Sequence, residues 1–179
     1  GQFAGAFPDN EAGDDPWNRA AGFNQLNRGK KSLTLDLSKD EGQAVLKDLL
    51  SVTDIFMENY TPRVMRRWQL DYPNLKKIKP DIIMLGMAMM GATGIHQGYG
   101  GNGINIIAGA GISGITGSPD RPPVGTGSLY PDFSGNPNHA TLAVLAALRH
   151  RNRTGRGQFI DLAQYESTIS LLGTSVLEY

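Results

Sequence analysis

Asp54-Ile-Phe-Met-Glu-Asn-Tyr-Thr-Pro62 contains the signals of a short strand and of the start of a helix. The apolar run at 55–57 predicts a buried strand. Thr61 followed by Pro62 predicts a helix cap with proline at the first helical position, where its missing N–H costs no hydrogen bond. Residues 32–90 as a whole alternate strand, helix, strand, helix, strand. This order predicts an α/β fold, a Rossmann-like parallel sheet with covering helices.

The other elements follow from apolar spacing on both sides of that stretch. Alternating or apolar runs predict strands at 32–37, 81–89 and 158–162, and helical spacing predicts helices over 38–50, 61–69, 73–79, 104–115, 139–148 and 164–177. Ser38 and Glu41 form a predicted capping box for the first helix. Residues 1–28 are rich in Gly, Asp, Asn and Pro without periodicity, so an irregular arm or loop is expected there. Because ligands of parallel sheets bind beyond the carboxyl ends of strands, the residues just after the strands are the first to search.

The composition excludes several classes of partner and chemistry. Lys and Arg number 17, and Asp and Glu number 17, among 179 residues, so the formal charge is zero. A neutral chain argues against nucleic acid or an anionic membrane surface as a partner of the whole protein. The absence of cysteine excludes disulfides, thiolate metal ligands and a cysteine nucleophile. No apolar run approaches the roughly 20 residues of a membrane helix, and the chain shows no secretion signal, so a cytoplasmic location is expected.

Glycine is in excess, with 23 residues, and 13 of these lie between Gly86 and Gly127. Gly98-Tyr-Gly-Gly-Asn-Gly103 fits the G-x-G-x-x-G pattern of dinucleotide-binding proteins. That motif requires a strand directly before it and an acidic residue about 20 positions later. Here the predicted strand ends near residue 90, and the next acidic residue, Asp120, lies in a predicted loop. The pattern therefore indicates a loop that allows close backbone approach.

Three other patterns have ordinary structural explanations. His96, His139 and His150 share no metal-ligand spacing, so no metal site is expected. The arginines between 149 and 156 follow a predicted helix, whose C-terminus favours cations. Asp132 lies just ahead of the same helix, where an aspartate is on composition alone more often a cap than a catalytic group.

Several segments, taken together, resemble the family III coenzyme A transferases, the group of formyl-CoA and carnitine CoA transferases (CaiB/BaiF family). The matching segments are, in chain order, 27–37, 54–60 followed by Pro62, Arg67 and Leu70, then 118–123, Asp132-Phe133, 146–148 and 153–162. Their order and spacing agree over about residues 23–179. The resemblance implies the large α/β domain of that family, in agreement with the fold predicted from the residues.

The resemblance implies that Asp132 is the nucleophile of a CoA transferase. Its carboxylate would attack the thioester carbonyl of an acyl-CoA, and a mixed anhydride and then an aspartyl-CoA thioester would form. A carboxylate can act as a covalent nucleophile when it is correctly placed. Water must be excluded because both intermediates hydrolyse, and glycine-rich loops can bring backbone N–H groups to a developing oxyanion.

The same resemblance implies four CoA-binding residues. Arg67 matches a position that contacts the nucleotide or phosphate part of CoA, for which the guanidinium fork is chemically suited. Asn59 and Tyr60 match the neighbouring CoA-contacting turn, and Leu35 matches a backbone contact at the end of the first predicted strand.

One departure separates this chain from the related α-methylacyl-CoA racemases. Those enzymes share the fold and transfer protons with a Gly-His-Asp-Ile-Asn segment, which reads Gly101-Asn-Gly-Ile-Asn105 here. Asn102 cannot serve as a proton-transferring base. A racemase or isomerase of the same fold is therefore the alternative to the CoA transferase, and a non-catalytic CoA-ester-binding module is the second alternative.

The resemblance also sets expectations for the whole protein. Residues 29–179 are expected to be the central part of the large domain, since family members are more than twice as long and carry a further N-terminal strand and a C-terminal small domain. An interlocked homodimer is expected of the full-length protein. The expected ligands are an acyl-CoA and a small carboxylic acid, with no tightly bound cofactor, no nucleic acid and no membrane partner.

Overall fold

The computed structural model describes residues 7–127 and 130–178. The chain forms two compact units, residues 1–36 and residues 37–179. In the first unit, a 3-10 turn at Pro8–Asn10 is followed by two short helices, α1 (Pro16–Arg19) and α2 (Ala21–Leu26). These helices lie where the sequence predicts an irregular arm, because short helices need no long periodic pattern to form.

The strand predicted at 32–37 is wrong, since these residues have no regular structure. Leu33, one of its alternating apolar residues, is 58% exposed. Alternation describes a half-buried strand only when a neighbouring strand pairs with it, and none of the described residues does so here.

The second unit contains a three-stranded parallel sheet, which confirms the predicted α/β class. Its strands are β1 (Ile55–Glu58), β2 (Ile83–Gly86) and β3 (Phe159–Asp161), in the spatial order β1-β2-β3. Met57 is paired with Leu85 and Leu85 with Ile160, so the carboxyl ends of all three strands meet at one edge.

The helices of the second unit follow the predicted spacing with some changes of boundary. They are α3 (Asp40–Ser51), α4 (Pro62–Arg67), α5 (Tyr72–Ile78), α6 (Gly103–Gly109), α7 (Tyr130–Phe133), α8 (Gly135–Thr154), α9 (Gln164–Ile169) and α10 (Gly173–Leu177), with 3-10 turns at Ile112–Ile115 and Ser170–Leu172. The N-cap of α3 is Lys39, so the predicted capping box of Ser38 and Glu41 does not mark its start. The helix predicted over 104–115 breaks at Gly111, whose φ of +87° is left-handed.

The sheet packs a separate core on each of its two faces. On one face, α3, α4 and α5 pack against β2 through a cluster of Leu50, Met65, Leu70, Leu75, Ile82 and Met84. On the other face, Leu85, Ala140 and Leu162 form a second cluster beneath α8. Consecutive residues Met84 and Leu85 thus face opposite sides, as the pleat of a doubly covered strand requires.

A third apolar cluster lies outside the sheet. Ile107, Ala110 and Ile112 form a third cluster, against which Tyr165 of α9 packs. None of the described helices combines the length and the apolar character needed to cross a membrane.

Candidate active site

The candidate site lies at the carboxyl edge of the sheet, where β1 leads into the turn at 59–61 and β2 leads into a long loop. Residues 91–103 of that loop are here called the glycine-rich loop. A Cβ built at Gly100 would lie 3.8 Å from Cγ2 of Thr61, so the glycine-rich loop contacts the turn after β1. The two segments that carry candidate ligand contacts are therefore neighbours.

The glycine-rich loop ends at the first turn of α6 in a reciprocal capping box. Asn102 Oδ1 accepts the N–H of Ile104 at 3.1 Å, and Asn105 Oδ1 accepts the N–H of Asn102 at 3.0 Å. Asn102, which stands where the racemases have histidine, is thus a helix cap. Within the described ranges, the N–H groups of Gly100, Gly101 and Gly103 have no acceptor.

Asp132 lies on α7, which contacts α6 beyond that cap. The residue is exposed, and its carboxylate makes no hydrogen bond or ion pair with the described residues. Partial burial of the carboxyl group raises the pKa of Asp132. A carboxylate that is accessible, incompletely solvated and without a cationic partner is available for reaction with a ligand.

A polar network, buried at Asn136 and half-buried at Gln164 of α9, joins the start of α8 to the loop after β2. Gln164 Nε2 donates to the carbonyl of Met87 at 2.6 Å, and Gln164 Oε1 accepts from Asn136 Nδ2 at 2.9 Å. Because a carbonyl can only accept, this chain of donors fixes the orientation of both amides. Asn136 is 1% exposed and follows Asp132 by four residues, so the network holds the segment that carries Asp132.

A second polar contact joins α8 to α9. Nδ1 of His139 lies 2.8 Å from Oγ of Ser167 and 3.0 Å from the carbonyl of Gly135. A Cβ built at Gly135 would lie 3.1 Å from the carbonyl of Ser167, so a small residue is needed there. His139 therefore connects α8 to α9.

Within the described part of the chain, no group of three or more His, Asp or Glu residues is arranged to hold a metal ion.

The predicted CoA-binding residues lie in three places. Asn59 and Tyr60 line a cavity of about 260 Å³ with Leu37, Leu46 and Trp68 among its walls. Arg67 is exposed in the last turn of α4 and has no partner among the described residues.

Leu35 belongs to the first unit, where it is half-buried in the irregular segment. Asn59 and Tyr60 therefore line one cavity, and Arg67 lies on the helix that follows them.

A second cleft of about 330 Å³ opens at the same edge, and no motif of the sequence pointed to its lining residues. Its walls are mainly apolar and include Tyr72 and Phe159, and carboxylates of Glu58 and Asp161 lie at the strand ends. Burial raises the pKa of Glu58, the N–H of Tyr60 lowers it in part, and the Asp161 carboxylate raises it further. The signal that could have identified Glu58 is its place as the last residue of a strand, directly before two candidate contacts.

Comparison with known proteins identifies the family. The model of CoA-transferase family III matches residues 8–179. Succinyl-CoA--D-citramalate CoA-transferase of Chloroflexus aurantiacus is 38% identical over 154 residues, which are 86% of this chain and 38% of that protein. Succinyl-CoA:mesaconate CoA-transferase of Haloarcula hispanica is 35% identical over 161 residues, which are 88% of this chain and 40% of that protein.

Solved structures agree with the sequence relatives. A CAIB/BAIF family protein from Brucella suis superposes with a TM-score of 0.79 at 32% identity, covering 84% of this chain and 40% of that one. The chain therefore spans about two fifths of the length of the proteins it resembles. Since the family model covers almost the whole sequence and the fold agrees, this chain belongs to CoA-transferase family III.

Proposed function

We propose that the protein transfers coenzyme A from an acyl-CoA thioester to a carboxylic acid, with Asp132 as the nucleophile. The observation that carries the proposal is the position of Asp132 on a short helix that contacts α6, the helix into which the glycine-rich loop leads. Its carboxylate has no partner among the described residues, and a buried amide network holds the segment that follows it.

The proposed reaction proceeds in four substitutions. The Asp132 carboxylate attacks the thioester carbonyl of the donor, which breaks the C–S bond and releases CoA thiolate, leaving a mixed anhydride. The thiolate attacks the aspartyl carbonyl and expels the donor acid, giving an aspartyl-CoA thioester. The acceptor carboxylate then displaces the thiolate to form a second anhydride. The thiolate finally attacks the acceptor acyl carbon and releases the Asp132 carboxylate.

The glycine-rich loop supplies the groups that this chemistry requires. Each substitution develops negative charge on a carbonyl oxygen, which backbone N–H groups stabilise when they are already oriented. Gly100, Gly101 and Gly103 carry N–H groups that no described residue accepts. Their lack of side chains allows an ester to approach the backbone closely.

The CoA part of the substrate is assigned to the turn after β1 and to α4. Asn59 and Tyr60 line the cavity at that turn, and Arg67 offers an exposed guanidinium for a phosphate. Leu35 is retained as a proposed backbone contact of the same nucleotide. Residues 29–179 are retained as the central part of a larger α/β domain.

The use of Asn102 argues against the racemase alternative. A carboxamide neither gains nor loses a proton near neutral pH, so it is no general acid or base. The backbone N–H and the side-chain oxygen of Asn102 are moreover both engaged in the capping box of α6. Proton transfer at an α-carbon would therefore lack the group that stands at this position in the racemases.

The relatives suggest which substrates to assay first. Their printed names include succinyl-CoA transferases acting with D-citramalate, L-malate and mesaconate. We propose succinyl-CoA as donor and a small dicarboxylic acid as acceptor. A homodimer of the complete protein belongs to the same proposal, and light scattering after size exclusion would test it.

The decisive experiment traps the intermediate on the complete protein. Succinyl-CoA is added with hydroxylamine, which converts an aspartyl anhydride or thioester into a hydroxamate that mass spectrometry can assign to a residue. We expect the adduct at Asp132, and D132N and D132A to lose transfer by about three orders of magnitude or more. Asp120 lies exposed in a turn, so D120N is the matched control and keeps the wild-type rate.

Three results would contradict the proposal. Full activity of D132N would show that Asp132 is not the nucleophile. Deuterium incorporation at the α-carbon of a chiral 2-methylacyl-CoA, without exchange of the acid, would indicate a racemase. Binding of CoA esters with neither adduct nor transfer would indicate a non-catalytic module.

A further inference from the structure

The proposed mechanism assigns no role to Glu58, the last residue of β1. We infer that Glu58 is a positioning residue for the CoA-ester site, whose carboxylate fixes the turn that presents Asn59 and Tyr60. The inference rests on the proposed function, because both turn residues are proposed contacts of CoA.

Hydrogen bonds hold Glu58 at both its backbone and its side chain. Its carbonyl accepts the N–H of Met87 at 2.9 Å, which fixes the residue to the end of β2. Its Oε2 accepts the N–H of Tyr60 at 2.7 Å. A carboxyl oxygen can accept this N–H in either protonation state. The carboxylate therefore determines the backbone direction of the turn immediately after the strand.

The central strand makes room for this carboxylate. A Cβ built at Gly86 would lie 2.9 Å from Glu58 Oε1 and 3.1 Å from Cε2 of Phe159. Real Cβ contacts are wider than the first of these distances. Glycine at the end of β2 is thus the residue that lets Glu58 lie across the carboxyl edge of the sheet.

The turn is also connected to the helix that carries the proposed phosphate contact. The ring of Tyr60 packs edge-on against Trp68, with centroids 5.3 Å apart and planes at 79°. Trp68 is the C-cap of α4 and directly follows Arg67. By fixing Tyr60, Glu58 also fixes how the turn and the end of α4 are placed against each other.

The surroundings of Glu58 argue against a purely stabilising role. Its cleft also contains the charged side chains Asp161, Arg66 and Asp71 and the phenol of Tyr72. Burial and the nearby Asp161 carboxylate both disfavour the ionised form of Glu58, and its pKa is raised. An apolar side chain would avoid the cost of burying a carboxyl group, so an acceptor at this position is better explained by the turn it holds than by stability of the fold.

The test compares three variants of the complete protein by calorimetric titration with free CoA and by the rate of transfer from succinyl-CoA. E58M keeps an unbranched apolar side chain of similar length but has no acceptor, and E58A removes the side chain. We expect both to weaken CoA binding by about tenfold, with kcat within about twofold of the wild type. E58Q retains an oxygen that can accept the Tyr60 N–H, so we expect its affinity within about threefold of the wild type. Y72F changes the same cleft without touching the turn and is the control, with unchanged affinity.

The outcomes separate this inference from the function on which it rests. If the wild type binds CoA and E58M binds it equally well, the positioning role is wrong while the proposed function stands. Equal weakening by E58Q and E58M would also overturn it, because rescue by a neutral acceptor is required. If the wild type neither binds CoA nor transfers it, the proposed function fails and this inference fails with it.

Discussion

Gly157, just before β3, is the residue whose replacement we expect to damage the fold most directly. A Cβ built there would lie 2.0 Å from the carbonyl oxygen of Ile82 and 2.5 Å from the carbonyl carbon of Asp81. Contacts below 3.0 Å do not occur for real Cβ atoms, and both neighbours are backbone atoms that cannot rotate away. In G157A the chain entering β3 must therefore move away from the residues before β2 by about 1 Å. This is the difference between the 2.0 Å distance of the built Cβ from the Ile82 oxygen and the 3.0 Å limit for real Cβ atoms.

The cost follows from what that movement breaks. Crowding in a packed interior costs about 1–3 kcal/mol. The N–H of Met84 donates to the carbonyl of Gln158 at 3.0 Å, directly beside the clash. Loss of that hydrogen bond adds about 1 kcal/mol. The total of about 2–4 kcal/mol is a large part of the 5–15 kcal/mol that stabilises a typical domain.

Urea unfolding of the complete protein, followed by circular dichroism, tests this value. With an unfolding slope of about 2 kcal/mol per molar urea, the midpoint of G157A should fall by about 1–2 M. G173A is the matched control, because Gly173 begins α10 with a helical φ of −48° and has no heavy atom within 4 Å of a built Cβ. We expect its midpoint to equal or slightly exceed that of the wild type. A G157A midpoint as close to wild type as that of G173A would refute the close-approach argument.

Three further predictions concern the candidate site. R67A should weaken CoA binding about tenfold in calorimetry without changing the unfolding midpoint, since Arg67 is exposed and has no partner among the described residues, whereas R63A on the same helix should bind like the wild type. The pKa of Asp132 is raised, and its ionised form is the proposed nucleophile, so kcat/KM should fall with decreasing pH while the pH is still above the ordinary aspartate range; a flat profile down to that range would contradict the proposed role. N136A should lower the free energy of unfolding by about 1 kcal/mol in urea, because it removes the donor to the oxygen of half-buried Gln164, and an unchanged midpoint would show that the network is not stabilising.

The sequence predicts the parallel sheet because its strands are short apolar runs between helical patterns. The strands near 55–57, 81–89 and 158–162 are confirmed as β1, β2 and β3. The strand at 32–37 is wrong because an alternating pattern specifies a half-buried surface and not the neighbour that pairs with it. The break at Gly111 could not be placed either, since helical spacing continues on both sides of the left-handed residue.

The polar contacts of the candidate site could not be predicted for a related reason. Asn136 and Gln164 are 28 positions apart, and no local pattern reports that their amides meet between two helices. Glu58 stands beside two residues that the family resemblance identifies, but its effect depends on the space at Gly86, which only the register of β1 against β2 reveals. The roles of Asp132, Arg67, Asn59, Tyr60 and Leu35 remain predictions carried by the resemblance.

The glycines of this chain separate the requirements of the fold from those of the proposed chemistry. At Gly157 a methyl group would meet backbone, so the fold alone requires glycine. At Gly101 it would lie 2.6 Å from Sδ of Met89, the flexible end of a side chain that can move. At Gly100 it would lie 3.8 Å from Thr61, an ordinary contact, so neither packing nor a left-handed φ demands glycine there. A glycine that the fold could replace, whose own N–H no described residue accepts, fits the proposed ester that must reach the backbone at this loop.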